Sequence, residues 1–219
     1  MAKVVIFGIG QIAEIAHYYL TNDSEHEVVA FTVDQNFLSE PYFHDLPVIA
    51  YENITKKYPP SECRMFLPIS YKKVNRLRTD KFLDAKLKGY EFISYISSKA
   101  ECNNAIVGEN CFIFENNVIQ PFTNIGDNCI LWSGNHIGHH STIKNNCFLA
   151  SHVVISGGVT IGEYSFIGVN ATIRDNVKIG RMNVIGAGSL ILSDTDNNAV
   201  YSPKETEKSK VPSDRLRGI

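Results

Sequence analysis

From residue 143 to residue 173 the sequence reads IKNNCF LASHVV ISGGVT IGEYSF IGVNAT I. Each six-residue unit begins with a branched aliphatic residue, and this period runs without a break from Val107 to Ile191, through fifteen units. An α-helix would need a period of 3.6 residues, which this stretch lacks. The repeat therefore decides the fold of the C-terminal half.

Each unit has the composition of a short strand followed by a turn. The residue after the aliphatic position is often glycine, which suits a permissive turn, and the residue four positions after it is usually small. The small residue and the next aliphatic residue are two positions apart on a strand, so both face inward. Three such strands close a triangular coil, and the fifteen units predict a parallel β-helix of about five coils.

The N-terminal segment has a different pattern, in which strands alternate with helices. This alternation predicts a small, Rossmann-like parallel α/β sheet. The predicted strands lie at residues 3–7, 28–33 and 64–67, and the predicted helices at residues 12–20 and 72–88.

A glycine-rich turn, Gly8-Ile9-Gly10-Gln11, connects the first predicted strand to the first predicted helix, and Asp34 ends the second strand. Such a turn places a phosphate at a helix N-terminus and an acidic residue near a ribose. The turn is compatible with a nicotinamide site, a nucleotide-sugar site or a purely structural role. Since about 95 residues provide only half of a dinucleotide-binding fold, we favour the nucleotide sugar.

The overall composition excludes several classes of function. The net charge is only −2, and the lysines and arginines are dispersed, which argues against binding to nucleic acid or to an anionic membrane. No apolar run approaches the ~20 residues of a membrane span, and no signal peptide is visible at the N-terminus.

Three of the five cysteines, Cys111, Cys129 and Cys147, are 18 residues apart. We interpret them as inward residues of successive coils rather than zinc ligands, in a reduced, cytoplasmic protein.

Three of the seven histidines lie in the segment 132–141, which reads WSGNHIGHHS. Ile137 faces inward, so His136, His139 and His140 are expected on the outside, with Gly157 and Gly158 stacked above the last two, one coil later. This glycine pair predicts a bare backbone patch along which a pantetheine arm could reach an imidazole. We favour the interpretation that one of these histidines is a general base for acyl transfer. The two alternatives are a metal site that would include His152, and a polar surface cluster.

The order of these features resembles the sialic acid O-acetyltransferase and bacillosamine N-acetyltransferase family, the NeuD/PglD group of hexapeptide-repeat proteins. The resemblance implies a left-handed β-helix, a homotrimer, and transfer of an acyl group from acetyl-CoA to a nucleotide-linked sugar without a metal. It also implies a cytoplasmic enzyme of surface polysaccharide biosynthesis. The implied domains are a nucleotide-sugar-binding domain at residues 1–96, an acyltransferase β-helix at 97–196 and a tail at 197–219.

The resemblance assigns site residues by their position in the motifs. His139 matches the catalytic histidine, and we place His140 beside it in the catalytic set. The residues implied for acyl-CoA binding are Gly157, Gly158, Val169 and Ala187. The residues implied for nucleotide-sugar binding are Gly8, Gly10, Gln11, Asp34, Ser70 and Tyr71.

The sequence departs from the family pattern next to the expected base. The family commonly places an acidic residue after the catalytic histidine, and this chain has His140 there. Because an imidazole does not polarise its neighbour as a carboxylate does, we expect a carboxylate from elsewhere, or none. Two other functions stay open from the residues alone: a metal-dependent lyase of the carbonic anhydrase type, with ligands among His136, His139, His140 and His152, and a non-catalytic sugar-nucleotide-binding scaffold.

Overall fold

The structure, a computed structural model, describes residues 1–215. Its N-terminal part is a five-stranded sheet in the order β3-β4-β2-β1-β5, parallel except for the pairing of β3 with β4. The three strands predicted from the sequence are present, while β3 and β4 form a hairpin that was not predicted. The elements are β1 Lys3–Phe7, α1 Gln11–Asn22, β2 Glu27–Val33, β3 Tyr42–Phe43, β4 Leu46–Ala50, α2 Ile54–Lys57, β5 Cys63–Phe66 and α3 Arg76–Leu87.

The C-terminal part is a left-handed parallel β-helix with three flat faces of seven, six and five strands. The first face holds β6 Tyr95–Ile96, β9 Phe112–Ile113, β12 Ile130–Leu131, β15 Phe148–Leu149, β18 Phe166–Ile167, β21 Val184–Ile185 and β23 Val200–Tyr201. The second holds β7 Glu101–Cys102, β10 Val118–Ile119, β13 His136–Ile137, β16 Val154–Ile155, β19 Thr172–Ile173 and β22 Leu190–Ile191. The third holds β8 Ile106–Val107, β11 Asn124–Ile125, β14 Thr142–Ile143, β17 Thr160–Ile161 and β20 Lys178–Ile179.

Chain order defines three corners of this prism: the first corner joins the first and second faces, the second corner joins the second and third, and the third corner returns to the first. The predicted fifteen units correspond to β8 through β22. Strands β6, β7 and β23 extend the prism beyond them. Strand β6 lies before the predicted boundary at residue 96 and already pairs with β9, and β23 lies within the predicted tail and pairs with β21. The last tail residues, 216–219, lie outside the described part of the chain.

The core of the β-helix confirms the inward positions predicted from the repeat. The aliphatic residue of each unit from Ile113 to Ile191 is buried, and Cys111, Cys129 and Cys147 stack in the same core as free thiols. Each of these thiols donates a hydrogen bond to a backbone carbonyl of the next coil. No helix among residues 1–215 is long and apolar enough to cross a membrane.

The turn glycines have a different role from the one predicted. The glycine after the aliphatic residue does not supply the left-handed backbone; a Cβ atom there would collide with the next coil, as at Gly138, where it would lie 2.5 Å from the amide nitrogen of Gly157. The left-handed residue is instead the third after the aliphatic residue. It recurs every six positions from Asn104 to Gly188 and is most often asparagine or glycine, the residues that tolerate positive φ best.

The N-terminal domain packs on the outward side of the first face. Phe112, Ile130 and Phe148 point away from the prism but are buried, because they share one hydrophobic cluster with α1 and Phe66. Burying these aromatic and aliphatic side chains holds the two domains together, at roughly 1.5–3 kcal/mol for each side chain.

A buried arginine joins the same two parts at the third corner. Arg78 of α3 is fully buried, and its guanidinium donates to the carbonyls of Ile69, Ser70, Asn128 and Cys147, among others. Burial lowers the pKa of Arg78 to about 10, so the group stays charged at neutral pH. These bonds fix the segment that follows β5 against the β-helix.

The predicted helix at residues 72–88 begins only at Arg76. Lys73, Val74 and Asn75 have φ angles of 54°, 51° and 63°, which a right-handed helix excludes. The side-chain amide of Asn75 donates to the carbonyls of Tyr164 and Ser165 on the β-helix. The contact with the β-helix thus overrides the helical pattern of the sequence in this segment.

Candidate active site

The three histidines of the segment 132–141 lie outside the prism, as predicted. His139 and His140 occupy the second corner, between β13 and β14, and both are exposed. His136 lies on the second face, half-buried and paired with Val154 of the next coil. The fourth candidate, His152, lies at the first corner and is separated from the others by the width of the second face.

The ring of His139 lies directly against the backbone of Gly157. A Cβ atom at residue 157 would lie 2.7 Å from Cε1 and 2.8 Å from Nε2 of His139, so only glycine leaves room for the imidazole here. The next residue, Gly158, has a φ of 70° and donates its N–H to the carbonyl of His139 at 2.8 Å. The expectation of an empty backbone patch was wrong for Gly157, because the imidazole already covers it.

The two neighbouring imidazoles contact each other. Nδ1 of His139 lies 3.1 Å from Nδ1 of His140, and the His140 ring packs 4.8 Å from the ring of Phe122. The backbone N–H of His139 donates to the side-chain oxygen of Gln120 at 2.9 Å. Among residues 1–215 no carboxylate makes a hydrogen bond or ion pair with either imidazole. The sequence reasoning missed Gln120 and Phe122; Phe122 stands 18 residues before His140, which is the coil spacing.

Val169 and Ala187 lie at the first corner, where they line a largely apolar cavity of about 360 Å³. Tyr71 lines the same cavity and packs its ring 5.0 Å from Phe148 and 4.8 Å from Phe166. The structure thus brings together residues that were predicted for two different ligands. Ser70 does not line this cavity; its carbonyl accepts a hydrogen bond from Arg78.

The glycine turn of the N-terminal domain opens onto a second cavity of about 510 Å³, which Gln11 lines together with Trp132 and Ser133. Gly8 has a φ of 110° and donates its N–H to the carbonyl of Thr32, so it provides the sharp turn. Gly10 caps α1, and a Cβ atom there would meet nothing within 4 Å. The turn therefore faces open space at the N-terminus of a 12-residue helix.

Asp34 lies away from both cavities. Its carboxylate pairs with Lys81 at 2.5 Å, and the ammonium group of Lys81 also lies over the rings of Phe7 and Tyr51. A ribose would have to compete with this ion pair for the Asp34 carboxylate.

Both cavities lie along the first corner and share Trp132, and we name the two together the interdomain groove. The Trp132 ring stacks on Phe114 at 4.7 Å, and its Nε1–H is buried without a partner among the described residues. Glu115 lies beside it and accepts hydrogen bonds from Tyr19 and Ser133, both at 2.7 Å. Burial works to raise the pKa of Glu115, but these hydrogen bonds outweigh it and leave the pKa below its usual value. The groove is thus lined by one carboxylate held by two hydrogen bonds.

The histidines and the interdomain groove therefore occupy different corners of one prism, and a single chain does not bring them together. Among the described residues, no group of three or more His, Cys, Asp or Glu side chains is arranged to hold a metal ion. Of the predicted site residues, Tyr71 meets Val169 and Ala187, and His139 meets Gly157 and Gly158.

The class of protein follows from the repeat and the fold. The family described as bacterial transferase hexapeptide (six repeats) matches residues 104–139, 122–157 and 158–193. The repeat region therefore consists of transferase-type hexapeptide repeats, and the whole chain has the fold of the NeuD/PglD-type sugar acyltransferases, which confirms the predicted resemblance.

Solved structures with this fold include a histidine-to-asparagine mutant of perosamine N-acetyltransferase from Caulobacter crescentus, in complex with CoA and GDP-perosamine. It is 23% identical, with a TM-score of 0.79 over 91% of this chain and 93% of that one. The acetyltransferase domain of PglB from Neisseria gonorrhoeae is 20% identical (TM-score 0.78; 91% and 96% covered). WeeI from Acinetobacter baumannii is 15% identical (TM-score 0.68; 91% and 96% covered). No curated protein matches at the level of sequence.

Proposed function

We propose that this chain transfers an acyl group, most simply acetyl, from CoA to an amino or hydroxyl group of a nucleotide-linked sugar, with His139 as general base. The observation that carries the proposal is the position of His139: an exposed imidazole held against the backbone of Gly157, at a corner of a transferase-type β-helix. Perosamine N-acetyltransferase, which shares the fold, holds CoA and GDP-perosamine together in its crystals. That complex supports the same pair of substrates here.

The proposed reaction needs one proton acceptor and no covalent enzyme intermediate. As the acceptor nitrogen or oxygen attacks the thioester carbonyl, its proton passes to Nε2 of His139. The new C–N or C–O bond forms, the C–S bond breaks, and the CoA thiolate takes up the proton that His139 received. The thioester would lie beside Nε2 of His139, at the second corner.

The interdomain groove is the proposed acceptor site. The N-terminus of α1, at Gly10 and Gln11, offers free N–H groups and a positive dipole end to a diphosphate. The ring of Trp132 lines both cavities of the groove and offers a surface against which a sugar can pack. Tyr71 offers a half-exposed aromatic ring at the other end of the groove.

A homotrimer resolves the separation of the two corners. In a closed three-fold assembly, the second corner of one protomer can face the first corner of its neighbour. His139 of one copy would then approach Val169 and Ala187 of the next, and acyl-CoA would lie between two β-helices. The substrates also fit the predicted cytoplasmic location and a role in surface polysaccharide biosynthesis.

The test is release of free thiol from acetyl-CoA with a panel of UDP-, dTDP-, GDP- and CMP-linked amino and hydroxy sugars. His139→Asn should lower kcat by about 10²–10⁴-fold, the usual contribution of a general base, while the trimer is retained. His26→Asn is the control, because His26 precedes β2 at the amino end of the sheet and lines neither cavity of the groove. Full turnover in His139→Asn would reject the base; ligand binding without turnover in the wild type would favour the scaffold.

A further inference from the structure

The imidazole rings of His139 and His140 contact each other, and this contact has no role in the reaction proposed above. Nδ1 of His139 and Nδ1 of His140 are 3.1 Å apart, which is hydrogen-bond distance. A neutral imidazole carries one N–H and one acceptor nitrogen. One proton must therefore lie between the two rings, and whichever ring donates it has a free acceptor at its own Nε2.

Three features hold His140 in this position. Its backbone is left-handed, with a φ of 57°, as at the equivalent position of the other coils. Its N–H donates to the carbonyl of Pro121 at 3.3 Å, and its ring packs on Phe122 of the preceding coil. Most residues at this position of the repeat are asparagine or glycine, so the sequence accepts a less favourable residue here.

The two rings differ in their surroundings. The Cε1–Nε2 edge of His139 lies against the Gly157 backbone, at the corner where the thioester is proposed to lie. Besides its contact with His139, the His140 ring packs on the apolar ring of Phe122. The other ionisable side chains of this corner lie farther along the prism. Arg174 and Asp175 are two coils from the pair, where Asn176 bonds Gly157, and Asp194 is three coils away, where it accepts a hydrogen bond from Lys178. Among the described residues, the pair therefore has no carboxylate to orient it.

We propose that His140 is a positioning residue that accepts the Nδ1–H of His139 and so holds His139 in the tautomer whose Nε2 is free to take the acceptor's proton. The inference rests on the proposed function, since it assigns His140 the orienting role that the expected acidic residue would have had. When His139 receives the proton at Nε2, the same hydrogen bond becomes charge-assisted and stabilises the imidazolium. An imidazole therefore does here what a carboxylate was expected to do.

The first test measures the tautomer without any substrate. In the full-length protein labelled with ¹⁵N-histidine, the nitrogen shifts of His139 report which ring nitrogen carries the proton. We expect the Nδ1–H form in the wild type and in His140→Asp, and the Nε2–H form, which free histidine prefers, in His140→Gly. Both substitutions are compatible with a left-handed backbone. An Nε2–H form in the wild type, or no change in His140→Gly, would overturn the inference.

The second test measures turnover of acetyl-CoA with the acceptor identified by the panel. Losing one neutral hydrogen bond is worth roughly tenfold, so kcat of His140→Gly should fall about tenfold with KM unchanged, and His140→Asp should restore it. The midpoint of the acid limb of kcat/KM should lie highest in His140→Asp and lowest in His140→Gly, because an acceptor at Nδ1 favours the imidazolium. Unchanged kcat in His140→Gly would overturn the positioning role. If no acceptor is turned over at all, the proposed function fails while the tautomer measurement still decides the inference.

Discussion

Replacing Gly157 with alanine tests whether the His139 ring position governs activity independently of the stability of the β-helix. The added Cβ atom would lie 2.7 Å from Cε1 and 2.8 Å from Nε2 of His139. Ordinary contacts between carbon atoms are about 3.5–4.0 Å, so the imidazole must move by roughly 1 Å. His139 is exposed, and its ring can turn into solvent without disturbing the core.

The expected magnitudes differ for activity and stability. A displacement of about 1 Å at a reacting group costs about 10²-fold in rate, whereas a surface substitution that moves one exposed ring changes the free energy of unfolding by less than about 0.5 kcal/mol. Gly138→Ala is the contrasting variant. Its Cβ atom would lie 2.5 Å from the amide nitrogen of Gly157 and 2.5 Å from the carbonyl carbon of Ser156. Backbone atoms cannot turn aside, so this variant should lose about 1–3 kcal/mol or more.

The assay combines steady-state thiol release with urea unfolding on both variants and the wild type. Gly157→Ala should keep the wild-type urea midpoint and lose turnover, while Gly138→Ala should unfold at lower urea. Full turnover in Gly157→Ala would refute the argument that the ring position against Gly157 controls the base. A loss of stability as large as that of Gly138→Ala would refute the argument that the ring moves freely.

Three further outcomes follow from the contacts between the domains. Arg78→Met should lower the free energy of unfolding by about 3 kcal/mol, because buried backbone carbonyls lose their hydrogen-bond donor. Urea unfolding measures this loss, and a loss below about 1 kcal/mol would contradict the stabilising role of Arg78. Hydrogen bonds from Ser98 and Tyr95 lower the pKa of Asp23 to about 2. The ionised Asp23 therefore stabilises the fold by about 1 kcal/mol after allowance for solvent screening, and this stabilisation is present above pH about 4 and lost as the pH falls toward 2. The unfolding free energy of Asp23→Asn should lack this pH dependence, and a pH profile identical to that of the wild type would reject the assignment. Because the Tyr71 ring lines the groove, Tyr71→Ala should raise KM for the sugar nucleotide or for acyl-CoA about tenfold. Circular dichroism should show that the fold is intact. An unchanged KM for both substrates would remove Tyr71 from the site.

The sequence alone was sufficient to predict the β-helix, because the six-residue period shows which side chains face inward and which face outward. A six-residue unit with inward aliphatic and small residues predicts a three-sided coil, whose left hand came from the family resemblance, and the buried row from Ile113 to Ile191 follows this coil throughout. The same register placed His136, His139 and His140 outside the prism and stacked Gly157 over His139. Local spacing decides these features, so no tertiary information was needed.

The start of α3 shows where local spacing stops being informative. The charged segment at residues 72–88 predicts a long helix, but Asn75 bonds carbonyls of Tyr164 and Ser165, about 90 residues later in the chain. Those bonds hold residues 73–75 in a left-handed turn. A partner so distant in sequence leaves no local pattern to read.

The chemistry of the candidate site divides in the same way. The sequence determined that His139 is an exposed imidazole at a coil corner, because the hexad position fixes the direction of each side chain. Only the tertiary structure decided that the partner of His139 is the imidazole of His140 and not a carboxylate, and that Tyr71 lies beside Val169 and Ala187. Ring orientation and the docking of one domain on another depend on contacts across the fold, and these are set by packing rather than by the order of residues along the chain.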